Sequence, residues 1–159
     1  MAFAAAATWS GLNPKCLCNS FSGADAPNVL VVLFDDTGLA AWSPHGGRIE
    51  MPTLHKGADR GLRYTQWHTT ALCSPTRSTF LTGRNHHVNR CASIMEATDG
   101  FPGAAGRLPA ERATIGQVLQ DNGYSTFWVG KNHHVPLEDV AGGASRSGWP
   151  LTSSASHRL

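Results

Sequence analysis

The sequence predicts an α/β fold with a mainly parallel sheet flanked by helices, and two observations lead to this prediction. The run Val29–Phe34 consists of six consecutive apolar residues rich in β-branched types, a pattern typical of a strand buried on both faces. Strand-like and helix-like segments then alternate along the chain. This alternation is typical of parallel strands that are connected by helices.

The expected fold begins at Pro27. Residues 1–26 are rich in Ala, Ser, Gly and Asn without a sustained period, so we interpret them as a disordered leader. After the first strand, a short helix is predicted, with Thr53 as its N-cap and Gly61 beyond its end. Residues 62–69 are then expected to form a second strand.

A second helix is predicted directly after Cys73. Pro75 falls in its first turn, where the N–H that proline lacks would have no helical partner. This prediction places the Cys73 side chain at a helix N-terminus. Residues 85–112 contain glycines and prolines with little periodicity, and they predict a long irregular connection.

A third helix is expected between Thr114, as N-cap, and Gly123, as the stop signal. A third strand, residues 124–130, follows this helix and ends at Lys131. Residues 141–159 are rich in Gly, Ser and Ala, and they predict an irregular tail.

The composition excludes several classes of protein. Charged residues make up only 15% of the 159, and the formal net charge is +2, which is too weak a field to predict nucleic-acid binding. No run approaches the roughly 20 apolar residues that span a bilayer. The four cysteines match neither a paired zinc pattern nor a disulfide framework. A cytoplasmic location is the default, and a periplasmic or secreted one stays open.

Chemically useful side chains follow the predicted strands, at the edge where open α/β sheets bind ligands. Asp35 and Asp36 come directly after the first strand, and adjacent carboxylates suit a hard cation such as Ca²⁺ or Mg²⁺. The alternative is that the two aspartates merely open a turn before Gly38. Lys131 and His133 come after the last predicted strand.

Cys73 follows the second predicted strand and begins a helix. The helix N-terminus would lower the pKa of a thiol and could bind a tetrahedral oxyanion. Arg77 lies one helical turn further on the same face, where it could pair with such an anion. The alternative is a buried structural cysteine beside a surface arginine.

Two segments carry a resemblance to a known family. The segment ALCSPTRSTFLTG, residues 71–83, resembles the first signature of the type I sulfatases, including its C-x-P-x-R core at Cys73, Pro75 and Arg77. The segment GYSTFWVGKNH, residues 123–133, resembles the second signature. The paired aspartates after an apolar strand are similar to the family's first metal pair. The resemblance covers residues 26–149 and implies an alkaline-phosphatase-like fold, with residues 27–140 as the amino-terminal part of the catalytic domain.

The resemblance implies an arylsulfatase-like sulfuric ester hydrolase. Cys73 would be oxidised to formylglycine by a formylglycine-generating enzyme, and the hydrated aldehyde would supply the nucleophile for a small-molecule sulfate ester. A divalent metal, calcium or another such as magnesium, would bind Asp35, Asp36 and the group derived from Cys73.

The resemblance also implies roles for three further side chains. Arg77 would hold the nucleophile in place, Lys131 would contact the sulfate, and His133 would act as the base. The position between lysine and histidine is commonly aromatic in the family and is Asn132 here, which leaves open whether His133 or His134 takes the role.

Family members are longer and supply a second metal-binding pair from later in the chain. We therefore expect the sequence to be an incomplete, amino-terminal part of the fold, with a truncated tail and little turnover of its own. Two alternatives stay open: a phosphonate or phosphate monoester hydrolase of the same superfamily, and a non-catalytic truncated fragment.

Overall fold

The computed structural model describes residues 3–8 and 26–134. These residues form two compact units, one made of residues 3–8 with 27–73 and the other of residues 74–134. Residues 141–159, the predicted irregular tail, lie outside the described residues, as does most of the predicted leader.

The first unit contains a two-stranded antiparallel sheet. Strand β1 (Phe3–Thr8) pairs with strand β2 (Val29–Phe34), with Phe3 opposite Phe34 and Thr8 opposite Val29. The predicted strand at Val29–Phe34 is confirmed. Strand β1 falls inside the predicted leader, and four of its six residues are alanine, which has a low strand propensity and gives no strand signal.

The predictions of strands at residues 62–69 and 124–130 are wrong. Neither segment joins a strand ladder within the described ranges. Residues 62–68 are all exposed, and an apolar alternating pattern becomes a strand only where a partner backbone accepts its hydrogen bonds. The only sheet in the described residues is antiparallel, so the mainly parallel sheet is not confirmed. Strand β2 is also not buried on both faces, since Val29 is 59% exposed.

Helix α1 (Pro52–Arg60) ends before Gly61, as predicted, but Thr53 is not its N-cap. The N-cap is Met51, because Pro52 occupies the first helical position, where a fixed φ suits helix initiation. The Met51 N–H donates to Ser43 Oγ over 3.0 Å, which satisfies a donor outside the helix.

The buried residues of the first unit lie beside the sheet and the loop that follows it. Trp42 is buried and packs edge-on against Phe34, with ring centroids 4.1 Å apart. Pro44 is also buried, and its carbonyl accepts a hydrogen bond of 2.6 Å from Arg63. These contacts fix the chain directly after strand β2.

Helix α2 (Cys73–Thr82) confirms the predicted helix with Cys73 at its start. It ends where Gly83 adopts a φ of +65°, a left-handed conformation that glycine adopts without steric cost. Its buried Leu81 packs with Cys91 and Leu108 in the core of the second unit, and Phe80 and Trp128 pack against this core.

The predicted irregular connection is confirmed, since residues 85–112 contain only turns and two short 3-10 helices, Met95–Ala97 and Pro102–Ala104. Helix α3 (Ile115–Asp121) follows. Its predicted N-cap is confirmed, because Thr114 Oγ1 accepts a hydrogen bond from the backbone N–H of Gln117. The φ of Gly123 is +85°, in keeping with its predicted role as the stop. No helix in the described residues combines the length and apolarity needed to cross a bilayer.

Candidate functional site

Cys73 and Arg77 lie one turn apart in helix α2. Cys73 is the first helical residue and is half-buried. The four residues after it are buried, and the Arg77 side chain is only 5% exposed. A guanidinium stays charged at any accessible pH, so it is stable in such a place only where acceptors surround it.

One acceptor for Arg77 comes from the segment 131–134. Arg77 Nη1 donates to the backbone carbonyl of Lys131 over 2.8 Å. This hydrogen bond joins two positions that are 54 residues apart in the sequence. It brings the first turn of helix α2 against the lysine that the resemblance implicates in sulfate binding, while the Lys131 side chain itself is exposed.

Two residues of the segment 131–134 are buried. Asn132 is 4% exposed and His134 is 1% exposed. The Asn132 Oδ1 accepts a hydrogen bond of 3.2 Å from the backbone N–H of His134, and the His134 carbonyl accepts one of 3.1 Å from the backbone N–H of Leu108. A bulky aromatic side chain at position 132 could not reproduce the first of these bonds, so the polar Asn132 has a structural reason.

His133 contacts a carboxylate from the irregular connection. Its Nε2 lies 2.8 and 2.9 Å from the two carboxylate oxygens of Glu96. The hydrogen bond from His133 is the largest cause of a lowered pKa of Glu96. The backbone of His133 has a φ of +60°, in the left-handed region, so the imidazole leaves the chain in a direction that extended backbone would not give.

His134 has the opposite environment to His133. Burial lowers its pKa to about 4, the backbone hydrogen bond to Asn132 raises the pKa, and the charge of Arg77 lowers it further. The His134 Nδ1 lies 2.9 Å from the Asn132 carbonyl oxygen, which only accepts, so Nδ1 carries the proton. His134 is therefore a neutral imidazole at pH 7.

The paired aspartates lie in the first unit, directly after strand β2. Both are exposed, and Asp36 has a φ of +49°. The Thr37 hydroxyl donates to the backbone carbonyl of Asp35 over 3.0 Å, which closes a turn at this point. The chain bends at the two aspartates, in keeping with the alternative interpretation that they open a turn before Gly38.

The chemistry of the two carboxylates fits a hard divalent cation, because Ca²⁺ and Mg²⁺ take oxygen ligands. Their number is smaller than the six to eight oxygens that Ca²⁺ takes. Within residues 26–134, no three His, Cys, Asp or Glu side chains come together as a possible metal site. The two carboxylates therefore fit such a cation by the kind of their donor atoms, and they are fewer than a complete site needs.

The sequence alone missed Glu96 and the contact of Leu108 with the segment 131–134. Glu96 lies 37 residues before His133, inside a connection without periodicity. No local sequence pattern identifies such a residue, because the contact depends on how the irregular connection folds against the segment 131–134 within the second unit.

Comparison with known proteins identifies the family to which the chain is similar. The sulfatase family model matches residues 27–148. An uncharacterized sulfatase of Schizosaccharomyces pombe is 37% identical over 114 residues, which cover 67% of this chain and 21% of that protein. An arylsulfatase of Klebsiella aerogenes is 34% identical over 111 residues, 69% of this chain and 24% of that protein. Human steryl-sulfatase is 34% identical over 116 residues, 69% of this chain and 19% of that protein.

The chain thus spans about a fifth of the length of the curated relatives it matches. The matched region contains both segments that resemble the sulfatase signatures, and the family implies an alkaline-phosphatase-like α/β fold. The family model covers well over half of the 159 residues, and the chain belongs to the sulfatase family.

Proposed function

We propose that this sequence carries the amino-terminal part of the active site of an arylsulfatase-like sulfuric ester hydrolase that cleaves sulfate monoesters. The observation that carries the proposal is the hydrogen bond from Arg77 to the Lys131 carbonyl, because it joins the two signature segments. Family membership supports the same reaction class. The matched relatives with a named activity are sulfatases, so a phosphonate or phosphate monoester hydrolase is not favoured.

Cys73 is the proposed nucleophile precursor. Converted to formylglycine, its hydrated aldehyde would supply one hydroxyl that attacks sulfur and displaces the alcohol of the ester. The second hydroxyl would then lose its proton, so that the aldehyde forms again and sulfate leaves. Its place as the first residue of helix α2 supports this role, since the N–H groups of the first turn favour negative charge. A formylglycine-generating enzyme is the proposed partner for maturation.

Arg77, Lys131 and His133 have the supporting roles. The buried Arg77 would hold the nucleophile, since its guanidinium is fixed by the carbonyl of Lys131. The exposed ammonium of Lys131 would bind the sulfate by charge. His133 rather than His134 is the proposed base, because His134 is 1% exposed and cannot reach a substrate.

Asp35 and Asp36 are the proposed metal ligands, with the group derived from Cys73 as a third. Calcium is the proposed ion, and magnesium would use the same ligand chemistry. When bound, such an ion neutralises an anionic substrate and lowers the pKa of a coordinated hydroxyl. The exposure of both carboxylates supports this role, since an ion could reach them.

The test uses protein containing these residues, produced together with a formylglycine-generating enzyme. Mass spectrometry of the Cys73 peptide should show the aldehyde, while the peptide of the buried Cys91 should keep its thiol as an internal control. The converted protein should hydrolyse an aryl sulfate faster than an aryl phosphonate, and Cys73→Ala should abolish both. An unmodified Cys73, or a preference for the phosphonate, would contradict the proposal.

A further inference from the structure

His133, at the end of the second sulfatase-like segment, contacts Glu96, which lies in neither segment. Glu96 belongs to the 3-10 helix Met95–Ala97, and His133 to the segment 131–134. The imidazole Nε2 lies within hydrogen-bond distance of both carboxylate oxygens, at 2.8 and 2.9 Å. The His133 side chain is 16% exposed and that of Glu96 is 64% exposed, so the acid approaches a mostly covered ring from the solvent side.

The backbone around His133 is fixed independently of Glu96. The Lys131 carbonyl is held by Arg77, and the His134 carbonyl is held by the N–H of Leu108. The buried Asn132 also accepts a hydrogen bond from the backbone N–H of His134. Both neighbouring carbonyls are thus held by hydrogen bonds, and the Glu96 contact restricts the side-chain torsions of His133.

The backbone that carries Glu96 is also held by specific contacts. The 3-10 helix is closed by a hydrogen bond of 3.0 Å from the Ala97 N–H to the Ile94 carbonyl. Gly106 packs so closely against Met95 that a side chain there would lie 3.0 Å from the Met95 Cα. The N–H of Gly106 in turn donates to the Arg90 carbonyl over 2.8 Å. Hydrogen bonds and close packing therefore restrict the backbone next to Glu96.

Stability alone is a weak reason for this pair. An ion pair with one solvent-exposed partner contributes little to stability, because water screens it and the side chains lose freedom. The contact with Glu96 has a larger effect on the orientation of the His133 ring. An ionised carboxylate only accepts hydrogen bonds, so the nitrogen that faces it must carry the proton.

We propose that Glu96 is a positioning residue for His133, holding the imidazole with its proton on Nε2 so that Nδ1 is the basic nitrogen of the ring. The inference rests on the proposed function in one respect, the role of His133 as base. It adds the residue that orients that base and the atom through which the base would act.

The neighbouring charges agree with an ionised Glu96. The pKa of Glu96 is lowered first by the hydrogen bond from His133, and the charge of Lys131 lowers it further. Arg77 is the other nearby cation, and it acts on the adjacent His134, whose ring is neutral. Glu96 is thus a carboxylate beside a cationic segment, where its ionised form is favoured.

The first test is spectroscopic and needs no activity. In nitrogen-15 NMR of the chain, His133 should show a slowly exchanging proton on Nε2. We expect Glu96→Ala to abolish this resonance and Glu96→Gln to keep part of it, because the amide oxygen still accepts a hydrogen bond. The matched control is Glu111→Ala, which removes an exposed glutamate of the same unit and should leave the resonance unchanged. Retention of the resonance in Glu96→Ala would overturn the proposal.

The second test places the same variants in protein that contains these residues together with the later part of the fold, and measures its hydrolysis of an aryl sulfate after conversion of Cys73. Glu96→Ala should lower kcat about tenfold, part of the 10²–10⁴-fold that a positioned general base contributes, with formylglycine content unchanged. Full kcat in Glu96→Ala would overturn the positioning role. If converted wild-type protein has no sulfatase activity but shows the Glu96-dependent resonance, the proposed function fails and the orientation of His133 by Glu96 is upheld.

Discussion

At the scale of single residues, two adjacent histidines have different surroundings. The Nε2 of His133 lies within hydrogen-bond distance of an exposed carboxylate, whereas His134 is almost fully buried and burial lowers its pKa to about 4. The backbone also distinguishes the two positions, since His133 has a φ of +60°, in the left-handed region. His133 is the proposed base, and the buried His134 belongs to the interior of the second unit.

The neutral state of His134 predicts how stability depends on pH. Its folded pKa of about 4 lies below the value of 6.5 expected in the unfolded chain, so the unfolded state binds more protons between these values. The stabilisation is fully present above pH 6.5 and is lost as the pH falls towards 4. The size of the shift corresponds to a loss on the order of 3 kcal/mol.

Urea unfolding at pH 7, 5.5 and 4 measures this effect, with His134→Gln as the comparison. The glutamine cannot titrate, so the free energy of unfolding of the variant should fall less steeply with decreasing pH. The pKa of His86 is also lowered by burial, but His86 contributes equally to both proteins and cancels from the difference. Equal slopes for the two proteins would show that His134 is not the group responsible.

At the scale of elements, the irregular connection depends on one glycine. Gly106 has a φ of +64°, and an added Cβ would clash with Thr98 Cγ2 and lie 3.0 Å from Met95 Cα. Gly106→Ala should therefore lower the free energy of unfolding by roughly 1–3 kcal/mol, since backbone strain and the clash add together. Thermal or urea unfolding measures the change.

Two matched variants separate the causes of this loss. Gly100→Ala adds the same methyl group where nothing lies within 4 Å, and it should cost far less. Thr98→Ser removes the clashing methyl, so the double variant with Gly106→Ala should recover part of the stability and leave the cost of the left-handed backbone. A Gly106→Ala variant as stable as Gly100→Ala would contradict the close packing against Met95 and Thr98.

The elements also show what local sequence could predict. Helices α2 and α3 follow from capping and breaking residues that act within a few positions, such as Thr114 and Gly123. Strands depend on partners far along the chain, and residues 124–130 have a strand-like composition without a described strand ladder. The same limit applies to the site: Cys73 and Arg77 are one turn apart and were predictable, whereas Glu96 reaches His133 only through the folded connection.

At the scale of the whole molecule, the family likeness extends over most of the chain, and the proposed metal site has two carboxylates among the described residues. Asp35 and Asp36 bring two carboxylates to one turn, and two ligands predict weak binding, in the millimolar range of the weakest calcium sites in proteins. Weak binding to the folded state alone still raises the melting temperature, because stabilisation grows with the ratio of ligand concentration to Kd.

Calcium at about 10 mM should therefore stabilise the chain by roughly 1–3 kcal/mol if Kd lies between about 0.1 and 1 mM, and a chelator should reverse the shift. Asp35→Asn and Asp36→Asn should each remove most of the effect, because the amide keeps the oxygen but loses the charge that attracts the cation. Asp59→Asn is the matched control, since Asp59 is exposed on helix α1 of the same unit and outside the proposed site. Thermal unfolding with and without calcium measures all four proteins. An equal shift in every protein would point to nonspecific binding at the surface, and no shift in the wild-type chain would contradict metal binding by this pair at these concentrations.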